Sequence, residues 1–402
     1  MKQETSEKVT PSRLFVPLVA LTSFATFISN TVITLLLSSI ALTFLGSSTP
    51  ASVGIAGQIS TINYAAEAIF AVLMGFLAIR FRHKSLFLSG VLLIMISAVG
   101  NFFAPTLFWM QVFFALEGIG SVIISIIGFT MIGDLMPPEK KAKALGFTVS
   151  ANFLGGIVGP TIIYFTTGFG GWRYAFLLYA LPISALCLAI ASLAVPSVSH
   201  EKEAVADKGK YVSVFKRVFL NKSASLCLLG MAFMAGPTLA PFAIAFFQKQ
   251  FAVTPLAVTY IVTATLSLFF VGSIVAGQIA NRFGCKRLTI LGVLMNGVFQ
   301  MTVFFMPNLY SALAFTLLVG LGGGITSTSI FALAIDQVPQ SRGTMMSMTN
   351  VFMKIGWTVA PAIAGLMLVL FASYQALGLA AAVLSVIAVA FLAFSKQNPS
   401  GV

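Results

Sequence analysis

Gly75-Phe76-Leu77-Ala78-Ile79-Arg80-Phe81-Arg82-His83-Lys84 sits between two long apolar runs. Gly277-Gln278-Ile279-Ala280-Asn281-Arg282-Phe283-Gly284-Cys285-Lys286 sits between two more, 202 residues later. Glycine, alanine, arginine, phenylalanine and lysine match in register. A basic turn repeated at one place in two apolar halves implies an internally duplicated membrane protein. Such an architecture usually moves a small solute past a site held between its halves. The same offset relates Gly118 to Gly320, Asp134 to Asp336, Pro137 to Pro339 and Lys140 to Arg342. Two parallel halves of six helices follow.

Outward from this repeat, the composition fixes the solvent. Of the 402 residues, 58% are hydrophobic and 8% charged, with a mean hydropathy of +1.00. A soluble chain of this size needs far more charge to cover its surface, so lipid is the solvent. Twelve stretches are long enough to cross about 30 Å of hydrocarbon as helices. They are 14–45, 52–79, 86–103, 107–134, 144–167 and 174–195, then 223–247, 256–281, 288–306, 311–336, 343–370 and 374–395. The expected fold is an all-α membrane protein with twelve transmembrane helices in two pseudo-symmetric six-helix bundles. Residues 1–195 form the first bundle, 196–222 a cytoplasmic linker and 223–402 the second bundle. In the linker, Tyr211, Val214, Phe215, Val218 and Phe219 recur at helical spacing among Lys216, Arg217 and Lys222. That stretch suits a helix lying along the membrane surface, or a plain tether.

The formal net charge of +13 resembles a nucleic-acid signal until it is mapped. All but three of the 23 Lys and Arg fall in the N-terminus, the even-to-odd turns, the linker or the C-terminus. Arg173 and Lys249 lie on the other side, and Lys354 lies inside a span. The asymmetry follows the positive-inside rule, so a multi-pass protein of the cell membrane with both termini in the cytoplasm is expected, with no nucleic-acid partner. Cys187, Cys227 and Cys285 suggest no disulfide framework. His83 and His200 lie outside the spans, which leaves no case for a metal site. The first apolar run is too long for a signal-peptide core and reads as a retained helix. No phosphate-binding loop appears, and neither a cofactor nor enzymatic activity is expected.

Four of the ten acidic residues fall within or at the ends of spans: Glu67, Glu117, Asp134 and Asp336. A charge in hydrocarbon is expensive and needs a partner, a proton or a water-filled cavity. Glu67 lies about 12 residues, roughly 18 Å, from the basic end of the second span. Ser60, Asn63, Tyr64 and Glu67 share one helical face, which is therefore expected to point into a cavity. Lys354 in the eleventh span lies at similar depth. Glu117 lies nearer the outer side of the fourth span, bracketed by Gln111 and Ser121, with Ser125 continuing the stripe. It is read either as a second proton or cation site or as a carboxyl capped by hydroxyls. Asn30, Asn152, Thr263 and Thr326 are further candidates, as cavity contacts or as interhelical hydrogen bonds.

These residues carry a resemblance. The chain is similar along nearly its whole length to the major facilitator superfamily, especially its twelve-helix drug/proton antiporter branch. Gly75 to Lys84 resembles the family's cytoplasmic signature Gly-x-Leu-Ala-Asp-Arg-x-Gly-Arg-Lys. Gly118-Ile119-Gly120 resembles the glycine end of a helix 4 signature, and Asp134-Leu135-Met136-Pro137-Pro138-Glu139-Lys140-Lys141 the loop after it. Gly155-Gly156-Ile157-Val158-Gly159-Pro160 resembles a helix 5 signature associated with antiporters. Gly171-Trp172-Arg173-Tyr174-Ala175-Phe176 resembles the family's entry to helix 6. Ile79 and Asn281 stand where the cytoplasmic signature has aspartate. Phe114 and Glu117 stand where the helix 4 signature has arginine and glutamine. The family's proton-handling and conformational roles are therefore not carried to Ile79 or Phe114.

The resemblance implies alternating access. It places the second and eleventh spans side by side, so that Glu67 and Lys354 can pair across the halves, as a switch or as a permanent structural pair. It implies a cytoplasmic gate of Gly75, Arg80, Lys84 and Asp134 with Gly277, Arg282, Lys286 and Asp336, latched by Arg80–Asp134 and Arg282–Asp336; the plainer alternative is anchoring of two helix ends. Gly155, Gly156, Gly159 and Pro160 form a packed hinge where the halves meet. Pro237 and Pro241 mark another place for a helix to bend. The preferred function is proton-coupled export of a small amphipathic or cationic organic compound, with Glu67 the leading proton or cation site. Transport of a metabolite or organic anion held by Lys354 is the alternative, and a non-transporting receptor or scaffold the third reading. Expected partners are a small-molecule substrate, protons and the lipid bilayer, with a monomer as the working unit.

Overall fold

The computed structural model describes residues 13–195, 218–234, 239–338 and 342–395. Their order is α1 (Phe15–Leu45), α2 (Pro50–Arg80), α3 (His83–Phe103), α4 (Leu107–Leu135), α5 (Pro138–Thr167) and α6 (Phe176–Ala194). After the linker come α7 (Lys222–Phe233), α8 (Ala240–Phe251), α9 (Pro255–Phe283), α10 (Cys285–Val303), α11 (Leu309–Gln337), α12 (Arg342–Phe371) and α13 (Gln375–Phe394). The first turn of α6, Phe176–Ala180, is π-helical. Eleven of the expected spans are met by one helix each. The seventh is met by two, α7 and α8, on either side of residues 235–238. Pro241 sits in the first turn of α8, where a missing N–H breaks no helical bond. Pro237 and linker residues 196–217 lie outside the described residues.

Eight of the described helices are long and apolar enough to cross a membrane. The shortfall against twelve has a physical reason. Helix α2 holds Asn63 and Glu67, and α10 holds Asn296 and Gln300, all buried inside the protein. Helix α5 opens on charged residues, and the seventh span is divided. Helices that face the interior are relieved of the need to be greasy throughout.

The repeat shows in the turns. Thr106 caps α4 by accepting from Trp109 N, and Asn308, its partner at the same 202-residue offset, caps α11 by accepting from Ser311 N at 2.9 Å. Thr49-Pro50 and Thr254-Pro255 start α2 and α9 alike, with the threonine accepting a backbone N–H and proline at the first helical position. Between α5 and α6, Gly171 has φ +102°, a conformation that glycine alone adopts freely. The next two residues stitch the first half together. Trp172 Nε1 donates to Thr43 Oγ1 at 2.9 Å, and one Arg173 nitrogen donates to Phe102 O and Ala104 O, each at 2.8 Å. Arg173 also lies over the rings of Trp172 and Phe44.

Across the halves α2 packs on α12, α5 on α9, and α1 on α8. The buried core forks. On the face away from the basic turns, one cluster takes Val32, Ile40, Ile59 and Phe114 from the first half and Phe242, Phe247, Phe304 and Leu368 from the second. Nearer the basic turns there are separate clusters. Phe15, Met74, Phe87 and Ile127 belong to one, and Cys227, Ile330, Met345 and Leu392 to the other. The halves thus share a core on the far face and keep their own cores on the basic face.

Candidate functional site

The crossing of α2 and α12 positions the site. A Cβ added at Gly54 would lie 2.6 Å from Gly365 O and 2.9 Å from Leu368 Cβ, so the two backbones nearly touch on the far face. One turn inward, Gln58 Nε2 donates to Gly54 O at 3.4 Å and reaches Pro361 O at 3.5 Å. Next, the rings of Tyr64 and Trp357 meet with centroids 5.6 Å apart. Beyond them Lys354 Nζ pairs with Glu67 Oε2. Glu67 is about 20 Å along α2 from Arg80 and Lys354 about 18 Å along α12 from Arg342, so both sit at mid-bilayer depth.

This ion pair is asymmetric. Glu67 is 1% exposed, whereas the Lys354 side chain is 24% exposed. Glu67 Oε1 also accepts from Ser121 Oγ at 3.1 Å, which holds the carboxylate against α4. The Lys354 ammonium lies 4.7 Å from the Trp357 ring centroid and 5.8 Å from that of Tyr64, so two aromatic faces help to solvate it. Such a pair survives in a dry site only because carboxylate, hydroxyl and rings together replace the lost water.

Behind the pair, Asn63 Nδ2 donates to Phe114 O at 2.7 Å and to Glu117 Oε2 at 2.9 Å. Glu117 is 4% exposed and Asn63 is 1% exposed. Gly118 makes this possible, because a Cβ there would press within 2.5 Å of Asn63 O. The expectation that Ser60, Asn63, Tyr64 and Glu67 line an open cavity is met differently. Ser60, Asn63 and Glu67 are buried, and Asn63 and Glu67 turn toward α4. Helical spacing showed a polar face without showing which helix would cover it. Ser121, expected beside Glu117, bonds Glu67 instead.

The opposite interface repeats this geometry without its charges. Phe269 lies 202 residues after Glu67, and Phe153 lies 201 before Lys354, the offset that also relates Gly155 to Gly356 and Pro160 to Pro361 in the fifth and eleventh spans. These two rings meet across α5 and α9 with centroids 5.9 Å apart, and Phe270 adds a second contact to Phe153 at 5.9 Å. Thr263 Oγ1 donates to Ile157 O at 3.2 Å across the same interface, so it is an interhelical bond. The hinge glycines pack mainly within their own half. Added Cβ atoms would meet Phe24 O from Gly155, Phe27 from Gly156 and Ile28 from Gly159, all on α1. Gly156 also approaches Leu266 of α9, at 3.3 Å. Pro160 stays inside an unbroken α5.

Other expected residues fall elsewhere. Lys84 Nζ donates to Ser192 O at 2.8 Å, and Lys286 Nζ to Ala393 O at 2.7 Å and Ser395 O at 2.6 Å. Each lysine thus ties the third helix of its half to the C-terminal carbonyls of the sixth, where a cation is favoured. Arg80 and Arg282 are exposed, and a Cβ at Gly277 would meet open space. The side chains of Asn30, Asp134 and Asp336, and the surroundings of Gly75, lie outside what is described. Asn152 Oδ1 is buried without a partner among the described residues. Thr326 bonds Gly322 O of its own helix at 2.8 Å. No metal-ligand cluster occurs among the described residues.

The comparisons with known proteins agree with this architecture. A sequence model described as Major Facilitator Superfamily matches residues 19–246 and 226–401. An uncharacterized MFS-type transporter, YceJ, of Bacillus subtilis (strain 168) is 24% identical over 303 residues, covering 74% of this chain and 76% of that protein. The chloramphenicol resistance protein CraA of Acinetobacter baumannii is 25% identical over 307 residues, 72% of each chain. Other relatives carry the names of multidrug efflux pumps and of metabolite transporters. Among solved structures, a D-xylose-proton symporter superposes with a TM-score of 0.79 at 15% identity, covering 96% of this chain and 98% of that one.

Proposed function

The chain belongs to the Major Facilitator Superfamily and is a multi-pass membrane transporter rather than an enzyme; on that premise we propose a proton-coupled exporter of a small amphipathic or cationic organic compound. It works by alternating access in the cytoplasmic membrane, with both termini inside. Halves 1–195 and 223–402, joined by 196–222, rock about the shared far-face core. The single observation that carries this reading is the Glu67–Lys354 pair, a buried ionic contact between the halves at mid-bilayer. A directional bond at that place gives the two halves a chemical switch, because any ion or solute that replaces one partner changes what holds them together.

Two further observations support the reading. The forked core leaves room for the halves to part on the basic face, where Arg80, Asp134, Arg282 and Asp336 would form the inner gate. The name of CraA and those of the efflux pumps favour export of drug-like compounds. A second reading is carried by the exposure of the pair. Lys354 is the accessible charge and Glu67 is not, which favours an organic anion drawn to the ammonium.

Proteoliposomes with an imposed pH gradient test both. Flux of ethidium or chloramphenicol driven by the gradient, and lost in Glu67→Gln and Lys354→Met, is the expected result. Flux of benzoate that depends on Lys354, with no flux of ethidium, would replace the first reading by the second. Binding of a solute with no flux of any would refute transport.

A further inference from the structure

Hydrogen-bond accounting behind the ion pair leaves two acceptors without donors. Asn63 Nδ2 uses both hydrogens, one on Phe114 O and one on Glu117 Oε2. Ser121 and Lys354 are committed to Glu67. Asn63 Oδ1 and Glu117 Oε1 remain, each buried and each without a hydrogen-bond partner among the described residues. The amide orientation is not arbitrary, because Phe114 O can only accept and so must face the Nδ2 group. A carboxyl and an amide joined by one N–H···O bond have a second pair of oxygens left over. If Glu117 is ionised, both are lone-pair bearers, and each loses its water for nothing. A proton on Glu117 Oε1 turns one of these two acceptors into a donor, and Asn63 Oδ1, on the amide already bonded to the same carboxyl, is the unpaired acceptor it would serve.

The charges around it point the same way. Two carboxyls and one ammonium share this part of the membrane interior, and the ammonium belongs to Glu67. The titratable or charged groups acting on Glu117 are Glu67 and Tyr64 from α2, Tyr179 from α6 and Lys354 from α12. Among the described residues, no partner of opposite charge is thereby left for a Glu117 carboxylate.

We propose that Glu117 is protonated in this state, shares its proton with Asn63, and is the residue that carries the coupled proton while Glu67 stays paired with Lys354. The inference rests on the proton-coupled reading above and names the atom that holds the proton. Release breaks the Glu117 Oε1–H bond and passes the proton to water that reaches the site as the halves move; no electron is transferred. The Asn63–Glu117 pair lies wholly within the first half, so it can load or discharge without breaking a contact between the halves. Coupling to Glu67 then runs through Ser121, one turn along α4 from Glu117, and through the bare electrostatics of two neighbouring carboxyls.

Infrared spectroscopy of the purified protein at neutral pH tests it, since a protonated carboxyl has a C=O stretch that a carboxylate lacks. Wild type is expected to show such a band. Glu117→Gln, whose amide can donate where the O–H stood, is expected to lose it, and Glu67→Gln to keep it. Asn63→Ala in an otherwise native chain is expected to shift the band by removing its hydrogen-bond acceptor. A wild-type spectrum without the band, a band that survives Glu117→Gln, or one unmoved by Asn63→Ala overturns the proposal. The signal needs neither substrate nor gradient, so it can fail while transport holds and hold while transport fails.

Discussion

Lys354→Met and Glu67→Gln remove opposite ends of one ion pair, and the structure says they are not equivalent. Lys354→Met strands a carboxylate that is 1% exposed and retains only Ser121 as a donor. Breaking a buried pair from one side costs about 3–5 kcal/mol when the remaining charge stays buried. Glu67→Gln leaves an ammonium that is 24% exposed and still faces two rings. Partial hydration and cation–π contacts of about 0.5–2 kcal/mol keep its loss to about 1–2 kcal/mol. The double variant strands nothing and is expected to unfold at nearly the wild-type free energy.

A double-mutant cycle on chemical unfolding in detergent should therefore give a coupling energy of about 4–7 kcal/mol, the sum of the two single losses. Losses that simply add within about 0.5 kcal/mol would refute a working pair. So would a Glu67→Gln deficit larger than that of Lys354→Met.

Gly54→Val forces a side chain into Gly365 O and Leu368. It should cost about 1–3 kcal/mol and loosen the far-face closure, read as faster thiol labelling of a cysteine placed at Gln58. Arg173→Met removes the donation to Phe102 O and Ala104 O, for about 1–2 kcal/mol in unfolding experiments. Lys84→Met and Lys286→Met each remove a cation from a helix C-terminus and should each lower stability by about 1 kcal/mol, with additive effects in the double variant because they lie in different halves.

Much of the fold was legible because membrane helices announce themselves by length and the repeat by its arginines. The spans around Glu67, Glu117 and Lys354 match the helices to within a few residues, and the pairing of Glu67 with Lys354 follows from equal depth plus adjacency of α2 and α12. What was hidden is rotational. In an apolar helix every face is greasy, so periodicity does not say which face meets which neighbour. Asn63 and Glu67 were therefore read toward a cavity, although they turn toward α4. Gln58, Trp357, Phe153 and Phe269 went unassigned for the same reason. One signal did exist for the two phenylalanines: shifted by the repeat, they occupy the places of Lys354 and Glu67.

That correspondence bears on mechanism. Duplication supplied two like interfaces between the halves, α2 with α12 and α5 with α9, at the same depth. On one, the repeat-related positions hold an ion pair; on the other, they hold Phe153 against Phe269. Aromatic rings attract over a broad range of offsets and tilts, so that contact tolerates sliding and tilting with little change in energy. A lysine and a carboxylate tolerate far less, because their hydrogen bond is directional and the carboxylate is buried. On the proposed alternating-access reading, the aromatic side can follow the rocking halves passively while the ionic side must break or hold. Under that proposal, control of the motion concentrates where the repeat is chemically broken, and a solute or proton acting at Glu67, Lys354 or Glu117 would bias the whole movement from one wall of the interface.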